Sequence, residues 1–147
     1  MRCTLFAVLA LIALVVPAGE SPAAAADPDF RVIVHPSVEG TRIPRRVVSS
    51  IFLREAARWG NRLLVAPVDQ SLSSAVRATF SNVVLETPIE GISALWHQRM
   101  RNGITPPPVK SSDEDVIAYV AKTKGAIGYV SLTTALPTTV RPVDIID

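Results

Sequence analysis

The chain has 147 residues, 15 basic and 13 acidic side chains, a net charge of +2 at pH 7 and one cysteine. That small surplus, with no basic stripe carrying interleaved aromatics, argues against a nucleic-acid-binding surface, and a single cysteine excludes an internal disulfide. Met1-Arg2-Cys3-Thr4 places a basic residue ahead of the apolar run Leu5 to Val16, and Ala24-Ala25-Ala26 follows. This is the pattern of a secretory signal peptide over residues 1–26. The run falls short of the roughly 20 apolar residues of a membrane span, so an uncleaved anchor is the weaker alternative. Cleavage is expected after Ala26, with Ala18 as the other choice, leaving one domain over residues 27–147. Cys3 precedes the apolar run and so is not placed to carry a lipid. The expected location is periplasmic or secreted.

Phe30 to His35 is rich in β-branched residues and stops at Pro36, which predicts a strand. Ser37 to Pro44 holds Gly40 and Pro44 and reads as a loop. Pro44 suits the first turn of a helix, and Val47, Val48, Ile51 and Phe52 fall on one helical face. Arg45, Arg46, Arg54 and Arg58 lie mostly off that face, as solvated charges do. Trp59-Gly60-Asn61 is a turn, and Leu63 to Ala66 reads as a second strand closed by Pro67. Asp69 to Ser74 leads into a helical pattern with Val76, Phe80, Val83 and Val84. A further helix follows Pro88 and contains Ile92, Leu95 and Trp96; Arg99 to Val109, with Pro106-Pro107-Pro108, is a loop. Ser111 to Asp115 starts a helix with serine caps and acids at the positive end of its dipole. Val116, Ile117 and Val120 form its buried face, and Gly125 ends it. Gly125 to Val130 reads as a buried strand, and Val140 to Ile145 adds an edge strand. The order describes one α/β domain, a small mixed sheet flanked by helices.

Two glycines three apart in Gly125-Ala126-Ile127-Gly128-Tyr129-Val130 imply a close backbone approach, either by another part of the chain or by a ligand. The helix that follows Ser74 offers a second opening for chemistry. Free N–H groups and hydroxyls at a helix start make an oxyanion site, here supplied by Ser71, Ser73 and Ser74. Arg77, one turn in, would add a charge-assisted bond. Capping alone explains the same serines, and Asp69 would repel an anion close by. The Ser37–Thr41 loop after the first strand is a weaker alternative. His35 and His97 stand alone, without metal-ligand spacing. There is no Gly-x-Ser-x-Gly elbow and no Gly-x-x-x-x-Gly-Lys loop, so neither an enzyme nor a bound cofactor is expected. Trp59 and Trp96 read as packing anchors.

Several spaced matches carry a resemblance. They are the strand Val32 to Val34, Ile51-Phe52-Leu53 before Trp59, Leu64 to Pro67 with Asp69 and Gln70, then Arg77 and Phe80. They continue with Trp96 ahead of Gly103, Pro106 and Pro107, then Ser111, Ser112, Val116 and Val120, and end in the Gly125–Val130 stretch. Together they resemble the phosphate-type substrate-binding proteins of ABC transporters, within the periplasmic binding protein type II superfamily. Arg54 stands where that family usually has glycine. Asp69 to Ser74 departs from its Arg-Asp-x-Ser-Gly-Thr loop, lacking the glycine, the threonine and the preceding basic residue. The resemblance implies a single lobe of a two-lobed fold, three layers deep, with the helix mouth at Ser71–Ser74 open to water. It further implies a small oxyanion ligand such as phosphate and a role near ABC uptake. The alternative is an envelope interaction module that keeps the lobe and docks a protein partner or a second copy of itself.

Overall fold

A computed structural model describes residues 29–147. The signal-peptide reading of residues 1–26, with cleavage after Ala26 or Ala18, lies outside the described residues. The chain runs β1 (Phe30–Val34), β2 (Arg42–Pro44), α1 (Arg45–Phe52), β3 (Ala66–Pro67), β4 (Asp69–Gln70) and α2 (Ala75–Val83). It continues through α3 (Ile89–Arg101), β5 (Val109–Lys110), α4 (Asp113–Lys122), β6 (Ala126–Ser131) and β7 (Arg141–Ile146). Five strands form one mixed sheet in the order β2-β7-β1-β6-β3, and β4 and β5 form a separate parallel pair. β1 is antiparallel to both neighbours, with Val32 opposite Tyr129 on β6 and opposite Val143 on β7.

The sheet separates two apolar layers. Val32, Val34, Ile127 and Tyr129 pack with Val48, Ile51 and Phe52 of α1, Phe80 of α2, and Ile92 and Trp96 of α3. On the other side Ile33, Ala126 and Val130 meet Val116 and Val120 of α4, with Val68. Side chains alternate between faces along a strand, so β1 and β6, buried on both faces, show no polar alternation in sequence. The expected three-layer α/β lobe is therefore present.

Several boundaries differ from the sequence reading, each for a physical reason. The second strand, expected at Leu63 to Ala66, occupies Ala66–Pro67 instead. Leu64 is 58 % exposed and forms only an isolated bridge to Arg58. Pro67 sits inside the strand because β3 is a sheet edge, where a missing N–H is tolerated. The loop expected over Ser37 to Pro44 contains β2, which pairs in parallel with β7 from Arg42↔Asp144 to Pro44↔Ile146. A three-residue strand is too short to show periodicity, and its pairing moves β7 from the expected edge to an interior place between β2 and β1. The helix of Trp96 extends to Arg101, into the expected loop. Val109, also assigned to that loop, pairs with Asp69.

The two glycines of the β6 stretch are explained by packing. Gly125 adopts φ +76°, and a Cβ there would lie 2.0 Å from the Leu64 carbonyl oxygen. At Gly128 a Cβ would meet Val116 Cγ1 at 2.7 Å and Val68 Cγ1 at 2.8 Å. α4 thus lies directly on the backbone of β6, and no ligand is needed to account for either residue. Gly128→Ala is expected to cost about 1–3 kcal/mol through overpacking, with Val116→Ala in the same chain recovering part of the loss. Urea melts of the single and double variants measure this.

Candidate functional site

Arg77 lies on the buried face of α2 together with Phe80 and Ser81, and only 2 % of it is exposed. A guanidinium there requires a compensating charge. Asp69, on β4 and 4 % exposed, supplies it through a direct ion pair. The Tyr129 hydroxyl donates to the same carboxylate oxygen, Asp69 Oδ1, which also accepts the Gln70 backbone N–H at 2.9 Å. Arg77 Nη1 donates to the Tyr129 hydroxyl at 3.3 Å. The Tyr129 ring stacks on Phe80 with centroids 3.8 Å apart and planes 5° from parallel. The charge pair is thereby tied to an aromatic cluster that includes Phe30 and Phe52.

Gln70 extends the network to the opposite helix. Its Nε2 donates to Asp113 Oδ1 at 2.8 Å and to the Tyr129 carbonyl at 2.9 Å, and its Oε1 accepts from Ser74 Oγ at 2.8 Å. Asp113, read from sequence as a helix-start charge, also holds the Ser131 N–H at 3.0 Å and the Thr134 hydroxyl. One carboxylate therefore fixes both β4 and the end of β6 to the start of α4.

The four sequence-derived site residues divide into two pairs. Ser74 is the N-cap of α2: its Oγ accepts the Arg77 N–H at 3.3 Å, the capping role weighed from sequence. Arg77 is committed to Asp69 and Tyr129 beneath the surface. Ser71 and Ser73 lie at the mouth, their hydroxyl oxygens 3.0 Å apart and Ser73 exposed. The N–H groups of Ala75 and Val76, in the first turn, have no partner among the described residues. The repulsion expected from Asp69 is cancelled by its pairing with Arg77. In the Ser37–Thr41 loop, Ser37 is occupied structurally: His35 Nδ1 lies 2.7 Å from its Oγ, which also accepts the Gly125 N–H at 3.0 Å. Trp59 donates to the Gly125 carbonyl at 2.9 Å, as a packing anchor does.

Next to the α2 mouth lies a half-open cleft of about 420 Å³, lined at one end by Asp69, Gln70, Ser71 and Arg77 and elsewhere by side chains of α3 and the proline loop. A larger hollow of about 510 Å³ sits at the start of α1. There Arg45 is already bonded to Asp147 and to the Val83 carbonyl, and Glu86 adds negative charge. Among the described residues, no three His, Cys, Asp or Glu side chains are grouped to hold a metal. No helix among them is long and apolar enough to cross a membrane. Sequence reasoning missed Tyr129 and the pairing of Asp69. The available signal was an arginine three residues before Phe80 on an apolar helical face, a position that demands a carboxylate partner.

Breaking the pair from one side leaves a buried charge, so Asp69→Asn is expected to cost about 3–5 kcal/mol. The double variant with Arg77→Met should be more stable than Asp69→Asn alone, as equilibrium urea unfolding reports. Burial pushes the Tyr129 hydroxyl up to about 12, against smaller opposing effects of the Arg77 charge and the Gln70 N–H. Between pH 10 and 12 the unfolded chain releases this proton while the folded chain keeps it. Stability that is full below pH 10 should therefore fall with rising pH, by about 1.4 kcal/mol per unit at most. Tyr129→Phe should flatten that slope in melts recorded across the same range.

No protein-family model matches the sequence, and neither does any curated protein. Solved structures do. A phosphate transport receptor of the ABC type from Vibrio cholerae superposes with a TM-score of 0.59 at 16% identity, over 80% of this chain and 46% of that one. A structure assigned as a phosphate ABC transporter substrate-binding protein of Clostridium perfringens, with bound phosphate, gives 0.64 at 15% identity, over 80% and 44%. PstS from Borrelia burgdorferi gives 0.61 at 15% identity, over 80% and 47%. These neighbours are substrate-binding transport proteins and none is described as an enzyme. This chain spans somewhat under half the length of each, and its fold is that of one lobe of a periplasmic binding protein.

Proposed function

We propose that the chain is an exported substrate-binding-protein-like domain that takes a small oxyanion at the start of α2, in connection with ABC uptake. The observation that carries this reading is the α2 mouth. Ser71 and Ser73 present hydroxyls 3.0 Å apart beside the unspent N–H groups of Ala75 and Val76. Such a helix start attracts anions through its dipole and its free donors. Ser74 caps the helix and so aims the first turn, and Arg77 supplies positive charge one layer deeper, balanced by Asp69. The fold likeness to phosphate transport receptors supports the same ligand class. The signal-peptide pattern of residues 1–26 supports a periplasmic or secreted location.

An anion at this mouth has protein on one side and water on the other. Hydrogen bonds that compete with water yield about 0.5–1.5 kcal/mol each, so a handful of them give a complex in the millimolar range. Calorimetric titration with phosphate and sulfate should show saturable binding that Ser71→Ala and Ser73→Ala each weaken by about three- to tenfold. Absence of any response to either anion would refute the reading. The second reading, an envelope module docking a protein partner or a second copy, is favoured by Leu72, Met100 and Val109, which stand exposed around one cleft. Stable self-association with no anion response is its signature in the same experiment.

A further inference from the structure

The cleft beside the α2 mouth is built for more than a bare anion. Its volume is about 420 Å³, whereas a tetrahedral anion displaces roughly the volume of two waters, about 60 Å³. Cavities of this size hold small organic molecules. Most of the wall is apolar: Leu72, Ile92, Trp96, Met100, Pro106 and Val109. Among the described residues, three of the five exposed large hydrophobic side chains stand here, Leu72 at 50 %, Met100 at 45 % and Val109 at 57 %. Asp69, Gln70, Ser71 and Arg77 bring hydrogen-bonding groups from the α2 side, and Ser93 and His97 of α3 add two more. Ser71 belongs both to this cleft and to the serine pair of the mouth. One molecule can therefore touch the helix start and the apolar wall together.

The charge at that end limits the head group. Asp69 and Arg77 cancel each other, and His97 of α3 is the one other basic side chain among the cleft's lining residues. A doubly charged head would meet a floor with no surplus lysine or arginine, whereas a single charge can be met by hydroxyls and backbone N–H groups. Arg77 keeps one further donor: its Nε, inside a residue 2 % exposed, has no acceptor among the described residues.

We propose that the ligand is a singly charged organic oxyanion, a sulfonate, phosphodiester or carboxylate, whose apolar substituent of about phenyl size lies along α3 in this cleft. The proposal rests on the α2 mouth being the anion site and names the class of ligand that site takes.

The test compares benzenesulfonate, methanesulfonate, benzyl alcohol and inorganic phosphate on the purified protein, by calorimetry and by Trp96 fluorescence in a Trp59→Phe background. Benzenesulfonate is expected to bind at least about tenfold more tightly than methanesulfonate, since roughly one buried ring separates them. Met100→Ser and Val109→Ser, both at exposed positions, should close that gap without shifting the melting transition. Ser71→Ala should weaken both sulfonates alike. Equal binding of the two sulfonates overturns the proposal, as does benzyl alcohol binding as well as benzenesulfonate. So does a dimer that Met100→Ser dissolves, which would make the cleft an interface between copies. Saturable phosphate binding in any of these cases leaves the anion site standing. No response to any anion at tens of millimolar removes both.

Discussion

The pairing of Arg77 with Asp69 is the interaction on which the arrangement of this lobe turns. A guanidinium on the buried face of a nine-residue helix is tolerated only with a carboxylate beside it. That carboxylate comes from a two-residue strand whose own pairing partner, β5, lies 40 residues further along the chain. Tyr129 then joins the pair to the central sheet, its ring packed on Phe80 and its hydroxyl on Asp69. The network fixes how α2 is pitched against the sheet, and with it where the helix mouth opens. Replacing such a pair by apolar residues is often neutral for stability. Its consequence here is geometric: it sets the position of the α2 start relative to β4 and the proline loop.

The second constraint is the approach of α4 to β6. Gly128 lets two valines, Val116 of α4 and Val68 between β3 and β4, come within contact distance of the strand backbone. Gly125 does the same for the Leu64 carbonyl, using a left-handed φ. Asp113 then ties the start of α4 to Gln70 and to the end of β6. Close packing on one face of the sheet and the charge network on the other are thus linked through Gln70, which bonds to Asp113, Ser74 and the Tyr129 carbonyl. The binding candidate is positioned from both faces of the sheet. It is not an isolated surface loop.

The same geometry explains why the mouth and the cleft differ in character. The mouth is polar because α2 starts with serines that its backbone cannot fully use, one of them spent as the cap. The cleft is mostly apolar because α3 and the proline loop face it with Ile92, Trp96, Met100 and Pro106, with Ser93 and His97 of α3 as polar exceptions. Prolines resist both helix and ladder, so the loop stands off as a wall, held at its end by the pairing of Val109 with Asp69.

Much of the lobe was legible in the residues. Helical spacing placed all four helices, β-branched and apolar runs bounded by proline or glycine placed β1 and β6, serine and acid punctuation placed the start of α4, and spaced matches pointed to the lobe fold, because these signals are local or repeat along the chain. β2, β4 and β5 were not legible, being two or three residues long and existing only through partners distant in sequence. Nor was the interior place of β7, which depends on β2. At the candidate site, the sequence by itself determined which residues carry the chemistry: the serines, the arginine and the acid near it. Only the tertiary structure decided that Ser74 caps, that Arg77 answers Asp69, and that Ser71 and Ser73 remain at the surface. The physical reason is that a charge or hydroxyl is spent or spared by what the fold brings to it, and those partners come from β4, β5 and β6, segments that no local pattern joins.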